Sequence, residues 1–402
     1  MKKNKISMLI FIVLSLITAS LLYYCKPSDG DSPINTTPYQ FPNIFWFPTK
    51  MNIPSDNPTT VEGVRLGRYL FYDGRWPGRF ACDSQMSCGT CHLQSRGMEC
   101  GIDHPKYIGG HPFGVAGPSK PSPHFMMALV NLVYHYNGYL WNGAVFNENP
   151  ALGSAKYGVP AIMPFHMRNI ETLVWMGLYA PHEMGSDTTK ALAALRSITS
   201  PNYPVLFEAA FGTKEINTER IMKAIAQFIR TLVSYNSKYD SVVHLHMKRF
   251  TPSESRGYEL FMTEKGDCFH CHGEPSLLTT NLYYNNGLDT IFNDVRDRYS
   301  ISKDTLDKGA YKSPTLRNIA LTGPYMRNGI FSTLEEVIEY YSTKVNKTPY
   351  THPLMKKAAL GGTQFTEGQK EDLLAFLHTL TDYKFISDTA FAKPSDLNTG
   401  CP

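Results

Sequence analysis

The sequence has little charge and almost no imbalance of it. Charged residues make up 18% of the chain and the formal net charge is +4. That leaves no basic surface of the kind that binds nucleic acid. No segment of any length alternates apolar and polar residues as a half-buried strand does, so the chain reads as mostly α with long loops. Beyond the first 25 residues nothing suggests a membrane segment. Cysteine is also scarce, at 8 in 402 residues, but its placement is far from even.

Four of the eight cysteines fall in two copies of one pentad, Cys88-Gly-Thr-Cys91-His92 and Cys268-Phe-His-Cys271-His272. Cys-x-x-Cys-His is the attachment site of a c-type haem: the two thiols add to the haem vinyl groups and the histidine, next on the same turn, ligates the iron. Zinc knuckles or redox dithiols are the alternative, and the histidine that follows immediately both times weighs against them. Two covalent haem c groups are therefore expected, with His92 and His272 on the two irons. Abundant aromatics and low charge suit a chain that wraps large apolar cofactors.

The N-terminus carries Lys2, Lys3 and Lys5, then an apolar run over 6–24, then Cys25. A basic segment followed by an apolar one is an export signal. Lipid attachment at Cys25, simple cleavage and an uncleaved anchor all stay open, and all three place the body in the periplasm or cell envelope. An oxidising compartment favours a disulfide between Cys82 and Cys100, which flank the first pentad, with Cys401 left free.

Residues 1–25 read as the signal, 26–50 as a flexible tether, 51–250 and 251–385 as two haem domains, and 386–402 as a tail. Helices are expected over 61–71, 188–197 and 253–262. Another is expected over 219–235, where Ile221, Ile225, Phe228, Ile229 and Leu232 share a face. Ser332-Thr-Leu-Glu335 and Thr366-Glu-Gly-Gln369 have the form of capping boxes. Each half thus runs helix, pentad, loop, helix, a weak internal repeat that has the layout of two cytochrome c folds.

Several further motifs stand in order: Leu66-Gly-Arg-Tyr-Leu-Phe-Tyr-Asp73, Ala128-Leu-Val-Asn131, Trp141-Asn-Gly143, Pro181-His-Glu-Met184, Asn286-Gly-Leu-Asp289, Ser313-Pro-Thr-Leu-Arg-Asn318 and Leu321-Thr-Gly-Pro-Tyr-Met-Arg-Asn-Gly329. In this series the chain resembles the bacterial di-haem cytochrome c peroxidase and MauG superfamily over about residues 60–385. The resemblance implies an exported enzyme that reacts with hydrogen peroxide at the first haem. Electrons would come through the second haem from a small cytochrome or other redox donor, or from a residue of a partner protein. A pure electron carrier is the alternative from another class.

The resemblance also implies site residues. The family's second-haem ligand lies fourteen residues after the His of a Pro-Tyr-x-His-Asp-Gly motif; Arg327 stands in that His position, and the ligand position is Tyr341, as in the MauG-like branch. Met326 is the rival ligand. The distal acid of the first haem maps onto Glu183, although Leu173 and Gly177 replace the family's Gln and Pro nearby. The inter-haem tryptophan maps onto Trp141, with Trp175 as the rival. His104 and His111 are candidates to close the first haem. A calcium ion would take the backbone carbonyls of Thr322 and Pro324, but Phe125 occupies the place of the third ligand, an Asn. Arg317 is expected to pair with a haem propionate.

Overall fold

Two helix pairs, one for each pentad, set the architecture. Helix Val61–Tyr72 crosses helix Thr218–Arg230, and helix Pro252–Phe261 crosses helix Glu367–His378. A glycine permits each crossing. A Cβ on Gly67 would lie 1.9 Å from the Ala224 carbonyl oxygen, and one on Gly257 would lie 1.9 Å from that of Asp372. In both pairs the next contact is a phenylalanine Cβ four residues along the partner helix, Phe228 or Phe376. The internal repeat is therefore present in packing detail. The computed structural model describes residues 35–400, apart from 83, 101–106, 109–110, 113–123, 145–169, 181–182 and 295.

The helix ends follow local chemistry. Thr60, Asn217, Thr251 and Thr366 each accept a backbone N–H at the N-terminus of these four helices, the capping role for which short oxygen-bearing side chains are suited. Helix Thr188–Ser197 matches expectation. The long helix expected over 219–235 stops at Arg230. Beyond it, Asn131 takes the backbone groups of the next residues: its N–H donates to the Leu232 carbonyl at 2.8 Å and its Oδ1 accepts from Ser234 N at 2.9 Å. The box expected at Ser332 and Glu335 is formed one residue later by Thr333 and Glu336. Starting the helix at Leu334 buries Leu334 and Ile338 in the second core. Strand structure among the described residues is confined to two-residue ladders, one of which pairs Tyr283–Tyr284 with Tyr311–Lys312.

Two main apolar cores result. One holds Leu66, Leu70, Phe71, Phe207, Ile225 and Phe228, and the other Tyr239, Leu260, Phe261, Leu278, Phe376 and Leu380. From Thr37 onward the chain is one compact unit in which the two halves are joined. Asp382 joins them: its Oδ2 accepts from Tyr235 N at 2.9 Å and Asn236 N at 2.8 Å.

Three expectations at the chain ends need correction. The tether does not extend to residue 50, since Ile44 and Phe47 are buried against Val133, Tyr134, Val233 and Leu277. The described part of the stretch read as a tail, 386–400, is packed against the first half. Ile386, Phe391 and Leu397 pack on the first core, and the Phe391 and Ala392 carbonyls accept from Tyr72 and Arg68 at 2.6 and 2.7 Å. The disulfide Cys82–Cys100 is not formed. Cys100 is free and buried beside the first pentad, whereas Cys82 is disulfide-bonded elsewhere, with its sulfur 3.4 Å from the Gly400 carbonyl. No helix among the described residues is long and apolar enough to cross a membrane; the run over 6–24, Cys25 and Cys401 lie outside them.

Candidate active site

Cys268 and Cys271 border the short helix Phe269–His272, at the wall of a large apolar cavity. His272 Nδ1 lies 3.3 Å from the Leu278 carbonyl and 3.2 Å from Ser313 Oγ. Tying up Nδ1 in this way orients the ring and leaves Nε2 as the available ligand atom. Burial pushes the His272 pKa down to about 4, so the ring is neutral, the form that binds a metal. Burial likewise pushes the thiols of Cys268 and Cys271 up to about 12.

Tyr341, on helix Leu334–Thr343, lines the same cavity and accepts a hydrogen bond from Asn286 Nδ2 at 3.0 Å. Burial raises its pKa, so without a cation beside it the phenol keeps its proton. Met326 also lines this cavity, with its sulfur 3.7 Å from the same Asn286 nitrogen. Two thiols, a neutral imidazole with a free Nε2, a phenol and apolar walls fit a covalently held haem.

Trp141 faces this cavity as well. Its Nε1–H donates to the Phe125 carbonyl at 2.7 Å, and Phe125 N–H donates to the Arg327 carbonyl at 2.6 Å. The indole is thus fixed by the backbone that leads to Arg327. Trp175, its rival, packs on the first core and stacks obliquely on Tyr179 at 5.4 Å. Arg327 pairs with Asp289 at 2.5 Å and lies 4.2 Å over the Tyr311 ring.

Arg317 is fully buried: its Nη1 and Nη2 pair with Asp240 at 2.8 and 2.7 Å, and its Nε donates to the Ser276 carbonyl at 2.7 Å. It forms a structural ion pair and does not stand among the residues that line the cavity. At the calcium position the place of the third ligand is taken by Phe125, which is buried and brings no side-chain oxygen. Calcium takes six to eight oxygen ligands, so water would have to complete a set begun by the Thr322 and Pro324 carbonyls.

The first pentad repeats the geometry of the second. His92 Nδ1 lies 2.8 Å from the Met98 carbonyl, again six residues on, and burial again pushes the ring's pKa down to about 4. In both copies the residue supplying that carbonyl has positive φ, Met98 at 65° and Leu278 at 53°, a conformation that non-glycine residues seldom adopt. Cys88 and Cys91 begin and end the short helix Cys88–Cys91. Glu183 follows helix Ile170–Tyr179 and lies close enough to Cys88 for its charge to help raise the thiol's pKa; burial is the larger cause. Burial also raises the pKa of Glu183 itself. A Cβ on Gly177 would stand 3.4 Å from Glu183 Oε2, so this glycine leaves room beside the carboxylate, and Leu173 packs on the first core. His104 and the side chain of His111 lie outside the described residues.

Three residues that pattern reading passed over belong to these sites. Asn286 touches both candidate ligands of the second site. Glu99, just beyond the first pentad, has a buried Oε2 without a partner and a pKa raised well above the usual value by burial. Lys312 lines the second cavity, and its N–H donates to the Trp141 carbonyl at 2.7 Å. Asn286 opens the motif Asn286-Gly-Leu-Asp289 but was given no role from it, and neither Glu99 nor Lys312 carries a local motif that separates it from an ordinary surface residue.

Comparison with known proteins agrees with this geometry. The family model for di-haem cytochrome c peroxidase matches residues 61–248. The methylamine utilization protein MauG of Methylorubrum extorquens is 28% identical over 334 residues, covering 83% of this chain and 82% of that protein. Cytochrome c551 peroxidase of Nitrosomonas europaea is 27% identical over 333 residues, covering 82% and 83%. Among solved structures, a MauG-like protein associated with microbial copper homeostasis superposes with a TM-score of 0.70 at 29% identity, covering 89% of this chain and 99% of that one.

Proposed function

Because the chain belongs to the di-haem cytochrome c peroxidase and MauG superfamily, we propose that it is an exported oxidoreductase that reduces hydrogen peroxide beside His92 and Glu183 and draws electrons through the site of His272 and Tyr341. Cys88, Cys91, Cys268 and Cys271 would hold two haem c groups as thioethers. When bound, the haems supply peroxide activation and the storage of oxidising equivalents. The basic N-terminus and the apolar run before Cys25 support export with lipid attachment at the cell envelope.

The observation that carries this reading is a half-buried carboxylate, Glu183, set against the first attachment motif. Reducing peroxide to two waters consumes two electrons and two protons. A carboxylate of raised pKa is suited to take a proton from one peroxide oxygen and return it to the other. An electron carrier has no use for such a group. Trp141, pinned by the Phe125 carbonyl, holds an oxidisable ring at the wall of the second cavity. Glu183→Gln should slow the reaction with peroxide about 10²–10⁴-fold, measured by stopped-flow absorbance. An unchanged rate would sink the acid–base role.

A second reading is favoured by Tyr341 alone. A phenolate ligand stabilises oxidised iron, which suits an enzyme whose electron source is a residue of a partner protein rather than a small cytochrome. On the strength of the solved relative, a copper-handling protein is the first partner to test. Rapid turnover with a reduced small cytochrome would support the first reading, and covalent oxidation of a partner residue the second.

A further inference from the structure

Among the described residues three cations are fully or nearly fully buried, and two have carboxylate partners. Arg317 pairs with Asp240 and Arg230 with Glu171. Lys312 is the exception. It is 3% exposed, and among the described residues its Nζ donates to the neutral Gly138 carbonyl and is ion-paired with no carboxylate. Burying a charge is costly unless it is paired. Burial, with the Arg298 guanidinium adding to it, pushes the Lys312 pKa down to about 7.

The surroundings deepen the deficit of negative charge. Arg298, a second cation near it, donates to the Asn142 carbonyl at 3.0 Å and reaches Asp307 at 3.9 Å. His135 has a buried Nε2 with no partner, and the charge of Lys312 lowers its pKa further beyond what burial does. Yet Lys312 lines the cavity that also contains Cys268, Cys271 and His272. A haem c brings two carboxylates to such a cavity. We infer that Lys312, not Arg317, binds a propionate of the haem attached at Cys268 and Cys271. This rests on the two-haem reading above.

The assignment gives Lys312 a second role, as a positioning residue. Its Nζ holds the Gly138 carbonyl and its N–H holds that of Trp141. One residue then ties the second cofactor's edge to the loop that carries the indole.

The test compares full-length Lys312→Met and Lys312→Arg proteins with the wild type. Haem content per chain is measured first; fewer than two haems in the wild type would refute the underlying reading rather than this one. Resonance Raman spectroscopy then reads the propionate bending band of the second haem, and redox titration reads its potential. Lys312→Met should shift the band and lower the second-haem potential, since a lost positive charge favours ferric iron. Lys312→Arg should restore both. A Lys312→Met protein with two haems and a wild-type band and potential would overturn the proposal, as would Lys312→Arg behaving like Lys312→Met. If Lys312→Met fails to fold, Lys312→Gln, which can still bond the Gly138 carbonyl, must show the same shift.

Discussion

Each attachment histidine is held by the same device, a carbonyl six residues on, turned toward Nδ1 by a non-glycine residue of positive φ. What differs is the acid or phenol nearby, and the expected outcomes of substitution differ with it. Tyr341→Phe should change the spin state of the second haem and raise its potential, seen by electron paramagnetic resonance and redox titration; an unmoved spectrum would transfer the ligand role to Met326. Glu183 must be ionised to accept a proton, and burial raises its pKa. The peroxide rate should therefore fall as pH drops through a midpoint above the ordinary glutamate value of about 4.3, and Glu183→Gln should abolish that inflection. The pentads were legible because their chemistry is local. Tyr341 and Glu183 were assigned only through resemblance. The ion pair of Arg317 was not legible because Asp240 lies 77 residues away, and Lys312 was passed over because nothing local announces a buried cation without an anion.

The helix pairs depend on close approach at Gly67 and Gly257. Because the obstructing atoms are backbone carbonyl oxygens at 1.9 Å, the helices themselves must move to admit a methyl group. Gly67→Ala and Gly257→Ala should each cost about 1–3 kcal/mol, measured by urea unfolding followed by far-ultraviolet circular dichroism. Gly368 is the control, for nothing lies within 4 Å of its added Cβ; Gly368→Ala should be neutral or stabilise by up to about 1 kcal/mol. Helix positions were legible in the sequence because apolar period and capping residues are local signals, and 188–197 coincides with helix Thr188–Ser197. The early stop at Arg230 was not, because Asn131, a residue about a hundred positions away, takes the backbone bonds that would have extended the helix.

The two-part layout was readable from the repeated pentads, but the joining of the parts was not. Asp382 and the segment from Ile386 to Leu397 bring the end of the chain back onto the first half, and such long-range closure leaves no periodic trace. Deleting residues 386–402 should expose the first core, lower the melting temperature and disturb the first haem's spectrum before the second's; equal loss at both would contradict the asymmetry of the closure. Across the molecule the claim is that two similarly built haem sites are chemically unequal. The deciding measurement mixes the diferric wild type and its Glu183→Gln and Tyr341→Phe variants with one equivalent of hydrogen peroxide, followed by stopped-flow optical and freeze-quench electron paramagnetic resonance spectroscopy. The expected result is a fast reaction in the wild type, a slow one in Glu183→Gln, and in Tyr341→Phe an unslowed start at the first haem with an altered signal from the second. No reaction in the wild type, or equal reaction at both haems regardless of Glu183, would contradict it.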